Sequence, residues 1–132
     1  MSTRPAPPSG TPPPAVAPLP DGAELDLLPL ARSICERYDA EFPDERERYG
    51  PAGQQWCVHD NRWLLLWAVM DAEFGTVDLS RQVEWLARVL EARDFPLDRL
   101  ARDLEIAAEQ LEPAVPKAAV RLDEAAARLR KG

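Results

Sequence analysis

The chain holds one histidine, two lysines and two cysteines in 132 residues. A single imidazole excludes the di-histidine metal centres, among them the paired Glu-x-x-His of di-iron bundles and the His-Glu-x-x-His of zinc proteases. There is no Cys-x-x-Cys, no glycine loop to cradle phosphate and no Gly-x-Ser-x-Gly elbow. A basic excess is also missing: 16 Lys and Arg stand against 23 Asp and Glu, for a net charge of −7. That balance argues against binding to nucleic acid or to anionic lipid, both of which need a basic footprint. The longest apolar run, Trp63–Met70, is eight residues, far short of the ~20 that cross a bilayer. The first twenty residues lack the apolar core of a secretory signal, so a cytoplasmic protein is expected. Two thiols in such a chain, each inside an apolar helical pattern, are expected to be reduced core fillers. No sustained alternation of apolar and polar residues marks a strand, and no fixed period marks a repeat.

What the chain does have is proline, tryptophan and helical periodicity. Residues 1–20 contain eight of the fourteen prolines. Prolines at that density remove backbone donors and fix φ, so a disordered tail with polyproline II character is expected there. Residues 21–132 then form one domain. Fourteen of the sixteen basic residues are Arg, which with the abundant Ala reads as the coding bias of a GC-rich bacterial genome.

Five helices follow from periods of three and four. The first runs from about Pro29 to Phe42, with Leu27, Ala31, Ile34, Tyr38 and Phe42 on one face. Pro43–Tyr49, a short polar turn or single helical turn, and the pair Gly50-Pro51 precede a long helix that begins near Pro51–Gly53 and ends at Phe74, with Gly75 as its stop. Leu79–Arg93 starts behind Asp78 as N-cap. Leu97–Leu111 carries Leu97, Leu100, Leu104, Ala107 and Leu111 on one stripe. A last, Ala-rich and locally basic helix follows Pro116 and is expected to be the most weakly held. The predicted fold is all-α: a compact bundle of four to five helices around a buried central helix, Gln54–Phe74, which carries three of the four tryptophans.

Candidate functional residues gather in the first half of that helix. Trp56, Asp60, Trp63 and Trp67 share a stripe, and Asp60 interrupts it with a carboxylate. Such a group must be paired if buried; it is either a structural polar contact or a ligand anchor at an aromatic pocket. His59 offers a general base, a haem ligand or a pH switch. Consecutive helical residues point about 100° apart, so Asp60 is not expected to orient it. A zinc site from Cys35, Cys57, His59 and a carboxylate would require two helices to converge and has no spacing motif behind it. No catalytic set, metal or cofactor is predicted. The sequence points away from an enzyme and toward a small helical regulatory or interaction module, with a protein partner or a second copy meeting Trp85 and Val89. Its acidic cluster, Glu36 to Glu47, is a solvated face or a dock for a basic partner. The alternative is a sensor bundle that binds a small apolar or tetrapyrrole-like ligand near Trp56, His59, Asp60 and Trp63.

Overall fold

A computed structural model describes residues 6–132; residues 1–5 of the proline-rich segment lie outside the described residues. Five α-helices form a bundle: α1 (Leu27–Glu41), α2 (Asp44–Val69), α3 (Leu79–Glu91), α4 (Leu97–Leu111) and α5 (Pro116–Lys131). A short antiparallel ladder of β1 (Val16–Pro18) and β2 (Glu24–Asp26) precedes them.

That ladder departs from the expectation of a disordered tail over residues 1–20 and from the absence of strands. Pro18 pairs with Glu24 at the ladder's end, where a missing N–H is tolerated. Gly22, at φ 87°, makes the turn. Ala17 is fully buried against the helices, and Leu27 N–H donates to Ala15 O at 3.0 Å, tying the strand to the start of α1. The earlier prolines are held from the other side. A run of X-Pro units has carbonyls without donors of its own to satisfy them. Arg62 Nη2 donates to Pro13 O at 2.8 Å and to Pro14 O at 2.9 Å, and Trp56 Nε1 donates to Ala6 O at 2.6 Å.

α1 buries Leu27, Ala31, Ile34, Cys35 and Tyr38, the stripe its sequence period requires. α2 bends at Gly50, whose φ of 70° and ψ of −166° no β-carbon-bearing residue adopts readily. Pro51 opens the second limb, where its missing N–H costs little. The bend brings Tyr49 so close to Gly53 that a β-carbon on Gly53 would stand 2.6 Å from Tyr49 Cβ. After Val69 a π-helical turn, Met70–Phe74, leads to Gly75 at φ 64°, the left-handed stop. Asp78 caps α3 through its Oδ1, which accepts from Arg81 N–H at 3.3 Å.

The bundle's centre is α4, not Gln54–Phe74. α4 buries Leu100, Ala101, Asp103, Leu104, Ile106, Ala107, Ala108 and Leu111. The second limb of α2 buries one face, Asn61, Leu64, Leu65, Ala68 and Val69, and leaves Trp56, Trp63 and Trp67 partly exposed, as Met70 is in the turn that follows. Tryptophan is bulky and amphipathic and settles at the rim of a core, whereas a bundle axis favours Leu and Ala.

The expectation that the last helix is weakly held is also corrected. α4 and α5 share the most extensive interface in the chain. Ala118, Ala119, Leu122, Ala125 and Ala126 are buried there, and small side chains let the two backbones approach closely. Arg130 forks onto Glu105 at 3.0 and 3.1 Å, Arg121 Nε lies 3.5 Å from Asp71, and Arg128 reaches Ser80.

Cys35 and Cys57 are not reduced thiols. They form a disulfide between α1 and α2, with Cα atoms 6.1 Å apart and a sequence separation of 22. Closing a loop of that length contributes roughly 3–4 kcal/mol by restricting the unfolded chain.

Candidate functional site

The richest chemistry lies between α1, α2 and α4, around Asn61. Four residues after Cys57, Asn61 points into the core and is 2 % exposed. Its Nδ2 donates to Cys57 O at 2.9 Å and to Asp103 Oδ1 of α4 at 3.0 Å. The same nitrogen stands 3.5 Å from Cys57 Sγ and 3.7 Å from Cys35 Sγ. Asn61 Oδ1 has no hydrogen-bond partner among the described residues. Burial raises the Asp103 carboxyl to about 7; the Asn61 hydrogen bond opposes that rise and the nearby Asp60 charge adds to it. A disulfide, an amide and a carboxyl that titrates near neutrality are thus packed into one dry contact.

A second polar knot closes the other end of α1. Tyr38 OH donates to Glu45 Oε1 at 2.9 Å, and Arg99 Nη1 donates to Glu45 Oε2 at 2.8 Å and Asp44 Oδ2 at 3.0 Å. Burial pushes Glu45 above the ordinary range, against the pull of its two donors. Arg99 also sits 4.5 Å over the Phe42 ring. Glu41 meets Arg102 in a fork at 2.8 and 2.9 Å. Much of the acidic cluster expected as a solvated face or a dock is therefore engaged inside the chain, as are three arginines of α5.

Of the four residues predicted to line an aromatic pocket, Trp56, His59 and Asp60 stand together and Trp63 pairs elsewhere. Trp56 meets His59 edge to face with ring centres 5.0 Å apart, and Arg93 lies 5.7 Å over the Trp56 ring. His59 Nδ1 is 3.1 Å from Asp60 Oδ1, so the adjacent carboxylate does orient the imidazole, through side-chain torsions that helical angle alone does not capture. Burial raises the Asp60 carboxyl, and the His59 contact opposes the rise. Trp63 leaves this group and stacks on Trp67, ring centres 5.9 Å apart and planes 29° from parallel.

His59 instead helps line a shallow groove of about 590 Å³ between α1 and α2. Leu28, Arg32, Cys35 and Glu36 form one wall, Val58, His59 and Arg62 the other, and Pro8 and Pro13 border it. No tryptophan lies among its described lining residues. A smaller cavity of about 30 Å³ reaches Cys57 from the side of Tyr38, Tyr49 and Gly53.

On the opposite side, α3 runs antiparallel to α2. Leu79 N–H donates to Asp71 Oδ2 at 2.8 Å at one end, and Arg93 covers Trp56 at the other. The Trp63–Trp67 pair lies between those two contacts. Trp85 is 51 % exposed and Val89 partly buried, while Phe74 is 41 % exposed.

Sequence reasoning missed Asn61, Asp103 and the disulfide. Asn61 falls on the stripe of Cys57, Leu64 and Ala68, an offset readable in principle from Cys57. Asp103 follows Leu100 by three, inside the apolar stripe of α4. Pairing them needs the register of three helices, which no local pattern supplies. Among the described residues no group of three or more His, Cys, Asp or Glu side chains is arranged to hold a metal ion, and no helix is long and apolar enough to cross a membrane. The fold and this geometry define a small all-helical domain. No known protein family matches the chain, and neither a curated protein nor a solved structure does.

Proposed function

We propose that this chain is a non-enzymatic helical interaction module of a bacterial cytoplasm, whose contact surface is the tryptophan side of α2 and α3. The observation behind this reading is the set of aromatic side chains on α2, the turn after it and α3 that the core leaves partly or largely open. Trp63 and Trp67 stack on each other at the rim, and Phe74 and Trp85 are each exposed by two-fifths or more. Aromatic residues in that state carry most of the energy at protein interfaces. Spacings of four, three and four along Trp63, Trp67, Met70 and Phe74 make a stripe about 16 Å long, suited to an amphipathic helix of a protein partner. A photoreactive amino acid at position 85 tests this in the native host. The expected result is one discrete cross-linked polypeptide at position 85 that does not form from position 48, an exposed site on the far limb of α2. Identical products from both positions, or none, reject the reading. Cross-linking to a second copy instead would make the face a dimer contact.

A small-molecule reading keeps His59 and shifts from the tryptophans to the groove between α1 and α2. The groove between α1 and α2 has a volume within the range that holds small ligands, and its lining sets Arg32, Glu36, His59 and Arg62 among Leu28, Val58 and two prolines, which suits an amphipathic occupant.

A further inference from the structure

The interaction reading uses neither the disulfide nor the groove beside it, and the chemistry of that pair is independent of the tryptophan face. Cys35 is 3 % exposed yet lines the floor of the α1–α2 groove, and Cys57 lines the smaller cavity on the other side. Two guanidinium groups, Arg32 and Arg62, face that groove with one carboxylate, Glu36. Against the disulfide stands the Asn61 amide nitrogen, whose two N–H groups donate to Cys57 O and Asp103 Oδ1 and which lies 3.5 and 3.7 Å from the two sulfurs; its buried oxygen has no partner among the described residues. We propose that Cys35–Cys57 is a thiol–disulfide exchange site, and that the groove receives a small thiol carrying carboxylates.

The chemistry balances with two such thiols. The first, as thiolate, attacks Cys35 Sγ from the groove. The Sγ–Sγ bond breaks, and Cys57 Sγ leaves with the electron pair as a thiolate. Asn61 Nδ2, 3.5 Å from Cys57 Sγ, stabilises that charge by turning one N–H from its oxygen acceptor toward the sulfur. The second thiolate attacks the incoming thiol's sulfur in the mixed disulfide and releases Cys35. The two small thiols are oxidised to their disulfide, and the protein pair gains two electrons. The protons shed by the two small thiols end on Cys35 and Cys57. Reduction then leaves two thiols next to the Asn61 amide, whose oxygen has no partner among the described residues in the oxidised form, so the same buried side chain meets both states. Arg32, exposed and one turn before Cys35 on α1, attracts the carboxylates of the incoming thiol.

Glutathione is the probe, applied to the full-length oxidised protein and followed by intact-mass and peptide mass spectrometry, with neutral 2-mercaptoethanol as comparison. The expected results are a glutathione adduct mapped to Cys35, followed by two free thiols, and a glutathione rate above the 2-mercaptoethanol rate at equal thiolate concentration. Arg32→Ala should lower the glutathione rate several-fold and leave the 2-mercaptoethanol rate unchanged. Asn61→Leu should slow both about tenfold; where that variant does not fold, the Arg32→Ala comparison stands by itself. Reduction only at the rate of global unfolding, measured by hydrogen exchange under the same conditions, would make the bond a structural staple and overturn the proposal. So would equal rates for the two thiols with Arg32→Ala silent, or two free thiols persisting after oxidation with glutathione disulfide.

Discussion

Asp103 shows how one buried carboxyl sets a pH dependence for the whole chain. Its folded pKa of about 7 lies well above its ordinary value of 3.8. Between those two values the folded state binds more protons than the unfolded state, so stability falls as pH rises from about 4 to about 7 and levels off above. Burial raises Glu45, Asp60 and Asp123 in the same direction. Arginines hold Glu41, Asp44 and Glu105 low, with the opposite sign: their contribution is complete above the ordinary carboxylate range and is lost as pH falls through their depressed values. The melting temperature is therefore expected to peak near about pH 5 and to be lower at pH 8, and Asp103→Asn, which keeps an acceptor for Asn61, should flatten that decline. Scanning calorimetry across pH checks both. Gly53 carries a second prediction at this scale. A β-carbon there would lie 2.6 Å from Tyr49 Cβ, an atom fixed to the backbone of the bend. Gly53→Ala should cost about 1–3 kcal/mol by overpacking, despite the higher helix propensity of alanine, and chemical denaturation measures it.

Helical elements were legible from the sequence because each carries its own stop. Leu97–Leu111 runs between Pro96 and Pro113 and keeps those bounds; Gly50-Pro51 marks the bend in α2, and Gly75 its end. The face each helix buries was less legible. α2 has two apolar stripes, and hydrophobicity alone selects the one with tryptophan, whereas packing buries the slimmer one through Asn61, Leu64, Leu65 and Ala68. Three-residue strands rich in proline leave no periodic trace, so β1 could not be read. Its weight can be measured. Deleting residues 2–18 removes the carbonyl partners of Trp56 and Arg62 together with buried Ala17. The melting temperature should fall by about 5 °C or more, where a disordered tail would leave it unchanged; differential scanning fluorimetry decides.

For the molecule as a whole, the placement of the centre is what matters. Leu104 is fully buried on α4, while Trp63 is partly exposed on α2. Leu104→Ala should cost about 2–5 kcal/mol, and Trp63→Ser clearly less, although tryptophan is the larger side chain. Equal losses in urea titrations would restore α2 as the axis. The candidate site was legible only in part for a related reason: His59 and Asp60 are neighbours in sequence, but Asn61 meets Asp103 across 42 positions and Cys35 across 26. The proline segment extends this logic to the time order of synthesis. Ala6 finds its donor 50 residues later, at Trp56, and Pro13 waits for Arg62. The stretch from Ala6 to Pro14 thus meets these donors only once α2 has emerged from the ribosome, and its rigid, donor-poor backbone does not compete for the helices still to come.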